Sequence, residues 1–383
     1  MNFEEKFDWQ LFFILCCFIG VSIIALLSAQ QSPQYNENFA LKQLVFYGLG
    51  FAAIGAMLFI DPDDFKKISW YLYGFGIVLL LGLVVAPDSV APVIKGQKSW
   101  YIVPGLGSLQ PSEFMKLFTI LVLARITSHH HQKNHKSIKA DTVLLLKLTA
   151  ATALPLLLIM QQPDLGTSLV FIAILVGMVF VAGISWKILT PIFLGVSALG
   201  VSIIMLALRA PQILDQYLGV KEYQLGRIYS WLQPTKFEDS SGYQLVKAMR
   251  AIGSGQLYGK GYGDREVYLP ESQTDFIFSI IAEEYGFAGS CLVVVLFFFL
   301  IYRLTSIAFK ANHNFSSYAL VGIISMIAFH VFQNIGMSIQ LLPITGIPLP
   351  FISYGGSALL GSLLALGFAF SASYHQKTYM FGE

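Results

Sequence analysis

Charge is what this chain has least of. Asp, Glu, Lys and Arg make up 12% of its 383 residues while 55% are hydrophobic; an ordinary soluble domain carries about 25% charged residues. The net charge of +2 is too small to hold a polyanion, so no nucleic-acid partner is expected. Cysteine is nearly absent. Cys16, Cys17 and Cys291 sit in apolar runs, match neither a disulfide framework nor a zinc spacing, and read as packing residues. No GxxxxGK[ST] phosphate loop occurs, which argues against ATP as an energy source. No internal repeat is visible in either orientation, which weakens a transporter reading, since many transporter folds carry paired, interrupted helices. The first apolar run follows MNFEEKFD, which is not the basic start of a cleavable leader, and that run is expected to remain as a membrane helix.

What the chain has instead is long apolar runs. A spanning helix needs about 20 apolar residues, and ten segments qualify, at approximately 9–29, 41–60, 69–86, 111–126, 142–160, 166–182, 188–208, 276–302, 318–340 and 353–371. The expected fold is an all-α polytopic membrane protein, a single transmembrane domain over 1–383, with a large loop at 209–275 between the seventh and eighth helices. Ten crossings put both termini on one side. With the termini in the cytoplasm, eleven Lys and Arg of the short loops lie inside, Lys66, Lys67, Lys136, Arg303 and Lys377 among them, against Lys42, Lys95 and Lys98 outside. The positive-inside bias then makes the 209–275 loop extracytoplasmic.

The stretch LPESQTDFIFSIIAEEYGF, which opens the eighth span, carries Glu271, Asp275, Glu283 and Glu284. If it is helical from about Thr274, Glu283 lies about 12 Å deeper than Asp275 and about 80° around from it, with Glu284 on roughly the opposite face. The acids then cannot share one site. Asp275 reads either as a helix N-terminal acid favoured by the macrodipole or as a reactive carboxylate at a wet helix mouth. Glu283 and Glu284 must face a cavity or pair within the bundle; Lys116, at a compatible depth in its own span, is the expected partner for Glu283 in a structural ion pair. Glu113 and Lys116 share a helix face and either neutralise each other or leave Lys116 to meet an anionic headgroup.

Other motifs carry two readings as well. Asp164 in QQPDLGTS stands where Asp caps a helix, and Trp100 in GQKSW suits an interfacial anchor. In the long loop, Tyr223, Arg227, Tyr229 and Trp231 have the aromatic and basic mix of a surface helix touching membrane or sugar. GSGQLYGKGYG is flexible enough to approach a phosphate. HHHQKNHK reads as a solvated basic loop rather than a metal site. Three prolines in LLPITGIPLPFISYGG force extended backbone, which membrane depth tolerates only under cover of protein or in a wet cavity. A folded-back loop lining an outer cavity is expected there.

Together, GQKSW, QPSEFMKL, QQPDLGTS, GYQ…AIGSG…GKG, LPESQTDFIFSIIAEEYGF and PLPFISYGGSALL, in this order from about residue 96 to 360, resemble the motifs of the SEDS family (shape, elongation, division and sporulation), polytopic membrane proteins of the bacterial cell wall. ITGIPLPFISYGGSAL is more similar to the elongation branch, RodA, than to the division branch, FtsW. The resemblance implies a peptidoglycan glycosyltransferase that polymerises lipid II into β-1,4 glycan on the outer face of the cytoplasmic membrane, for cell elongation and shape. It implies Asp275 as the catalytic general base in an inverting displacement of polyprenyl pyrophosphate. Trp100, Glu113, Lys116, Asp164, Arg227, Glu271 and Ser353 become candidate substrate-binding or supporting residues. A class B penicillin-binding protein (a transpeptidase) and other elongation-complex membrane proteins are the implied partners. No metal ligand is assigned, and Mg or Mn could assist the leaving group. Three positions depart from the family pattern: Ser99 stands where many members carry Arg, Lys247 where many carry Gln, and Gln340 where Gly is common. The rival readings are a division or sporulation polymerase, a lipid II flippase, and a scaffold for the transpeptidase. A flippase would need polar groups along the whole crossing, whereas those here cluster toward the outer end.

Overall fold

Polar residues start the helices that the apolar runs fill. In the computed structural model, α1 (Trp9–Ala29), α2 (Phe39–Leu58) and α3 (Pro62–Val85) begin at Asp8, Asn38 and Asp61, whose side chains accept from the backbone N–H groups of Leu11, Leu41 and Asp63. Such caps satisfy donors that a helix cannot satisfy for itself. α4 (Pro111–Lys133) opens on a proline, whose missing N–H costs nothing in a first turn. Ser137 caps α5 (Ile138–Met160) and Asp164 caps α6 (Leu165–Val181). Then follow α7 (Trp186–Arg209), α8 (Glu222–Leu232), α9 (Tyr243–Ser254), α10 (Ile277–Lys310), α11 (Asn314–Ser338) and α12 (Gly356–Tyr374). A hairpin of β1 (Tyr101–Val103) and β2 (Gly107–Leu109) lies between α3 and α4. The structure describes residues 6–31, 37–94, 96–103, 107–133, 137–209, 212, 222–240 and 242–376. Lys95, Lys136, Lys377 and the side chain of Tyr223 fall outside them.

Each of the ten expected spans is a helix, and eight of the helices are long and apolar enough to cross a membrane. α6 is apolar but shorter. α4 is the instructive exception: its face-to-face neighbours are α3, α5, α6, α11 and α12, so it meets protein on most sides rather than lipid. That position is what lets it hold Glu113 and Lys116, both buried, where a lipid-facing helix could not. α7 is the opposite case, with Leu194, Val196 and Leu199 all exposed.

Two contacts fix how α1 and α10 run against each other. At the end of the bundle where α1 starts and α12 ends, Asp8 accepts from Arg303 at 2.9–3.0 Å and from Ser373 at 3.1 Å. At the other end, the Ser28 hydroxyl in the last turn of α1 donates to Glu284. α10 breaks between these points, at Gly286, with φ 63° and ψ −156°. The helix expected from about Thr274 starts instead at Ile277, leaving Asp275 in the turn before it, while Glu283 and Glu284 lie in its helical part ahead of the break. Glu284 thus lies level with the last turn of α1, and the break follows two residues on.

The glycine-rich GSGQLYGKGYG segment is the reason the break is stable. Lys260 and Gly261 donate backbone N–H groups to the carbonyls of Glu283 and Glu284 at 3.0 and 3.1 Å, while Phe287 and Ala288 donate to Gln256 and Leu257 at 2.9 and 3.1 Å. These bonds replace the helical ones lost at Gly286. A Cβ on Gly255 or Gly259 would overlap the carbonyls of Ala282 and Glu284, so glycine is required by close backbone approach. The segment is a clasp, bonded along its backbone rather than the flexible loop read from its composition.

Candidate active site

Asp275 is held by its own backbone neighbourhood. Three successive carbonyls accept bonds from three different places: Gln273 from the Tyr354 N–H at 2.8 Å, Thr274 from the Ser353 hydroxyl at 2.6 Å, and Asp275 from the Asn334 amide at 2.8 Å. Ser353, singled out from its motif, thus tethers the segment that carries the acid, and its oxygen also accepts from the Leu349 N–H at 2.8 Å. The Asp275 carboxylate packs over Gly346 (φ 73°), where a Cβ would stand 3.4 Å from Oδ2.

The proline-rich loop between α11 and α12 supplies the wall beside it. Its prolines remove N–H donors, so its carbonyls need partners from elsewhere. One face of α11 provides them: His330 Nδ1 lies 3.3 Å from the Pro348 carbonyl, Gln333 donates to Pro343 at 2.9 Å, and Asn334 to Ile347 at 2.8 Å. Further along, Tyr47 donates to the Phe351 carbonyl, Ser22 to Ile352 at 2.9 Å and Gln43 to Ser353 at 3.0 Å. The expected folded-back loop is present, with its irregular backbone buried in protein.

These elements enclose a groove of about 820 Å³ whose lining includes Asp275, Trp100, Gln110, Tyr354, Ser357 and Lys42, with Leu41, Val45, Phe46 and Leu49 of α2 along one side. Among the described lining residues, Asp275 is the one acid and Lys42 the one base. Burial pushes the Tyr354 phenol above its ordinary pKa, with partial relief from the Lys42 ammonium, so near neutrality Tyr354 is a hydroxyl donor.

The other candidates are placed around this groove rather than in it. Glu113 and Lys116 pair at 2.7 Å, both buried, and Lys116 Nζ also lies 3.1 Å from His330 Nε2. An ammonium donates, so Nε2 accepts, and the ring proton sits on Nδ1, aimed at the Pro348 carbonyl. The proposed Lys116–Glu283 pair is therefore corrected. Glu283 does sit in an ion pair, but with Lys260 at 2.9 Å, and it also accepts from the N–H groups of Glu266 and Val267 at 2.9 and 3.2 Å. Burial pulls Lys260 down, but its bonds to Glu266 and Glu283 outweigh that and hold its pKa above the ordinary lysine value. Helical depth could not have found this pair, because its basic half comes from the clasp.

Asp164 accepts from Thr167 N–H at 3.0 Å, from the Thr167 hydroxyl at 2.8 Å and from Gln110 Nε2 at 3.1 Å. It caps α6 and steadies Gln110, which does line the groove. Arg227 lies 3.4 Å from the Ile344 carbonyl through Nη1, behind the proline loop. Glu271, at φ 56°, accepts from Thr274 at 3.3 Å. Gln340 also adopts a positive φ, 63°, which explains why glycine suits that position; here the strain is offset by reciprocal 3.0 Å bonds between Gln340 and Trp231 of α8. Lys247 lies over the Tyr243 ring. His330, Asn334, Gln110 and Lys42 are the site residues that sequence reasoning missed. The i, i+3, i+4 polar row of His330, Gln333 and Asn334 inside an apolar span was the available signal. Among the described residues no group of three His, Cys, Asp or Glu side chains is placed to hold a metal ion.

Comparison with known proteins converges on one family. The family described as Cell cycle protein, FTSW_RODA_SPOVE, matches residues 7–378. The chain is 40% identical over 378 residues to "Stage V sporulation protein E" of Bacillus subtilis, covering 97% of this chain and 98% of that one. It is 33% identical over 349 residues to "Probable peptidoglycan glycosyltransferase FtsW" of Coxiella burnetii, covering 90% and 88%. Among solved structures it resembles a chain from work on the structural coordination of polymerization and crosslinking by a peptidoglycan synthase complex, with TM-score 0.78, 27% identity and coverage of 97% and 99%. It also resembles the rod shape determining protein RodA of Thermus thermophilus, with TM-score 0.68, 27% identity and coverage of 97% and 98%.

Proposed function

We propose, from the premise that the chain belongs to the FTSW_RODA_SPOVE family and is a multi-pass membrane peptidoglycan glycosyltransferase, that it polymerises lipid II with Asp275 as general base. One observation carries the assignment of the site: a groove bordered by an apolar stretch of α2 receives, among its described lining residues, a single acid, Asp275, in a segment fixed at the three successive carbonyls of residues 273–275. Such rigidity suits a group that must meet a hydroxyl within hydrogen-bond reach.

The chemistry is one displacement. The Asp275 carboxylate takes the proton of the acceptor sugar's 4-hydroxyl as that oxygen attacks C1 of the donor. The C1–O bond to the prenyl diphosphate breaks on the opposite face, the electron pair leaves with the diphosphate, and an α-linked donor becomes a β-linked product. No covalent intermediate and no second carboxylate are needed. Trp100 and Gln110 form sugar-side walls. Glu113, Lys116, Asp164 and Ser353 act one step back, through the loops they hold. The termini lie in the cytoplasm and the groove opens at the outer face, a reading supported by the charge bias of the short loops and by the groove's position at the end of the bundle away from the start of α1 and the end of α12. A transpeptidase of the class B penicillin-binding type is the partner we assign, in keeping with the complex that couples polymerization to crosslinking.

We assign the protein to wall elongation on the strength of its ITGIPLPFISYGGSAL stretch. A sporulation or division role is the second reading, favoured by the 40% identity to the sporulation protein of Bacillus subtilis. A fluorescent fusion seen along the side wall supports the first, and one confined to septa refutes it. The reaction itself is tested by incubating purified protein with lipid II and resolving the glycan on a gel. Asp275→Asn should lower the rate by about 10²–10⁴-fold. Polymer formed by the variant at the parental rate would remove Asp275 from the chemistry, and lipid movement across vesicles without polymer, equal in both proteins, would mark a flippase.

A further inference from the structure

The groove has a cation that the sequence reading had not assigned to it. Lys116 is buried against Glu113 and His330, and Arg227 reaches toward the Ile344 carbonyl; neither lines the groove. Lys42 does, in the first turns of α2. Val45, Phe46 and Leu49 follow it at i+3, i+4 and i+7, hence on the same helix face, and all three line the same groove. Lys42 thus stands where an apolar wall ends and a polar chamber containing Asp275, Tyr354 and Ser357 begins. A lipid-linked sugar has its diphosphate at the corresponding junction, between the prenyl chain and the saccharide.

We propose that Lys42 binds the diphosphate of the prenyl-linked sugar donor and stabilises the charge that grows on it as it leaves. This rests on the polymerase reading above. Its present partner does not oppose the role. Glu37 pairs with Lys42 at 2.8 Å, but the two side chains are 57% and 48% exposed, and a pair so open to solvent is weakly held and readily exchanged for a multiply charged anion. The first turn of α12, from Gly355 to Ala358, lines the same space and has no side-chain cap, so its positive dipole end adds to the field of Lys42.

The test uses the purified full chain, with Lys42→Met, Lys42→Arg and Glu37→Gln. Farnesyl diphosphate, farnesyl monophosphate and inorganic pyrophosphate are the binding probes, and lipid II polymerisation is the activity. Lys42→Met should weaken farnesyl diphosphate binding and raise the KM for lipid II by about tenfold or more, as expected for loss of a charge-assisted contact. Lys42→Arg should keep most of the affinity, and Glu37→Gln should tighten binding, because it frees the ammonium. Unchanged binding and KM in Lys42→Met would overturn the proposal. So would competition by inorganic pyrophosphate equal to that of the farnesyl compound, which would mean a site for the free anion. Absence of polymer from the parent, with Lys42-dependent farnesyl diphosphate binding intact, would refute the polymerase reading and uphold the binding site.

Discussion

Lys116 separates two accounts of this protein, and its removal distinguishes them. If it were a substrate cation, Lys116→Met would cost activity and leave stability alone. Here it lies buried between Glu113 at 2.7 Å and His330 at 3.1 Å, on the helix with the most protein around it. Removing one partner of a buried pair strands the other charge and costs about 3–5 kcal/mol. With about 2.1 cal/mol/K of unfolding entropy per residue over 383 residues, that loss lowers the melting midpoint by roughly 4–6 °C. The figure is a lower bound, because helices that persist in detergent reduce the entropy of unfolding and steepen the shift. Glu113→Leu combined with Lys116→Met removes both charges and should cost less than either single change. The assay is thermal unfolding of the purified protein in one detergent, with the double-mutant cycle completed. A Lys116→Met protein with an unchanged midpoint, or a double variant that loses as much as the two singles summed, would refute the buried-pair account.

Two further predictions concern the supports of the site. His330→Ala leaves the Pro348 carbonyl without its donor and should lower kcat by about tenfold, near the value of one charge-free hydrogen bond, with little change in KM; His330→Asn, whose amide can occupy the Nδ1 position, should recover part of the loss. Equal losses in both variants would show that the ring acts through packing alone. Gly259→Ala places a side chain at φ 83° against the Glu284 carbonyl and should cost more than about 1 kcal/mol. Amide exchange at Phe287 and Ala288, whose N–H groups the clasp holds, should quicken well before the rest of α10, and unaltered protection there would exclude the clasp.

Much of this protein was written along the chain. Bilayer thickness converts apolar run length directly into helices, so all ten expected spans formed. The caps at Asp8, Asn38, Asp61 and Asp164 are local matters settled within three residues. The proline spacing of the loop before α12 likewise forces irregular backbone wherever it sits. Asp275 was visible because its surroundings, LPESQTDF, match a family motif rather than because its spacing demanded a role.

Pairings between distant segments were not written there, because they depend on where a chain turns and not on how far along it a residue lies. Depth counted along an ideal helix put Glu283 beside Lys116, whereas the clasp, a segment more than twenty residues earlier in the chain, folds back and brings Lys260 to it. The same holds for the groove. Trp100 comes from the residue before the hairpin, Lys42 from α2, Asp275 from the turn before α10 and Ser357 from α12. Sequence alone fixed which segments enter the membrane, since burial in lipid is a property of each segment's own composition. Only the tertiary structure decided which acid meets which base, since electrostatic pairing falls off with distance in space and four remote stretches must first be packed before that distance exists.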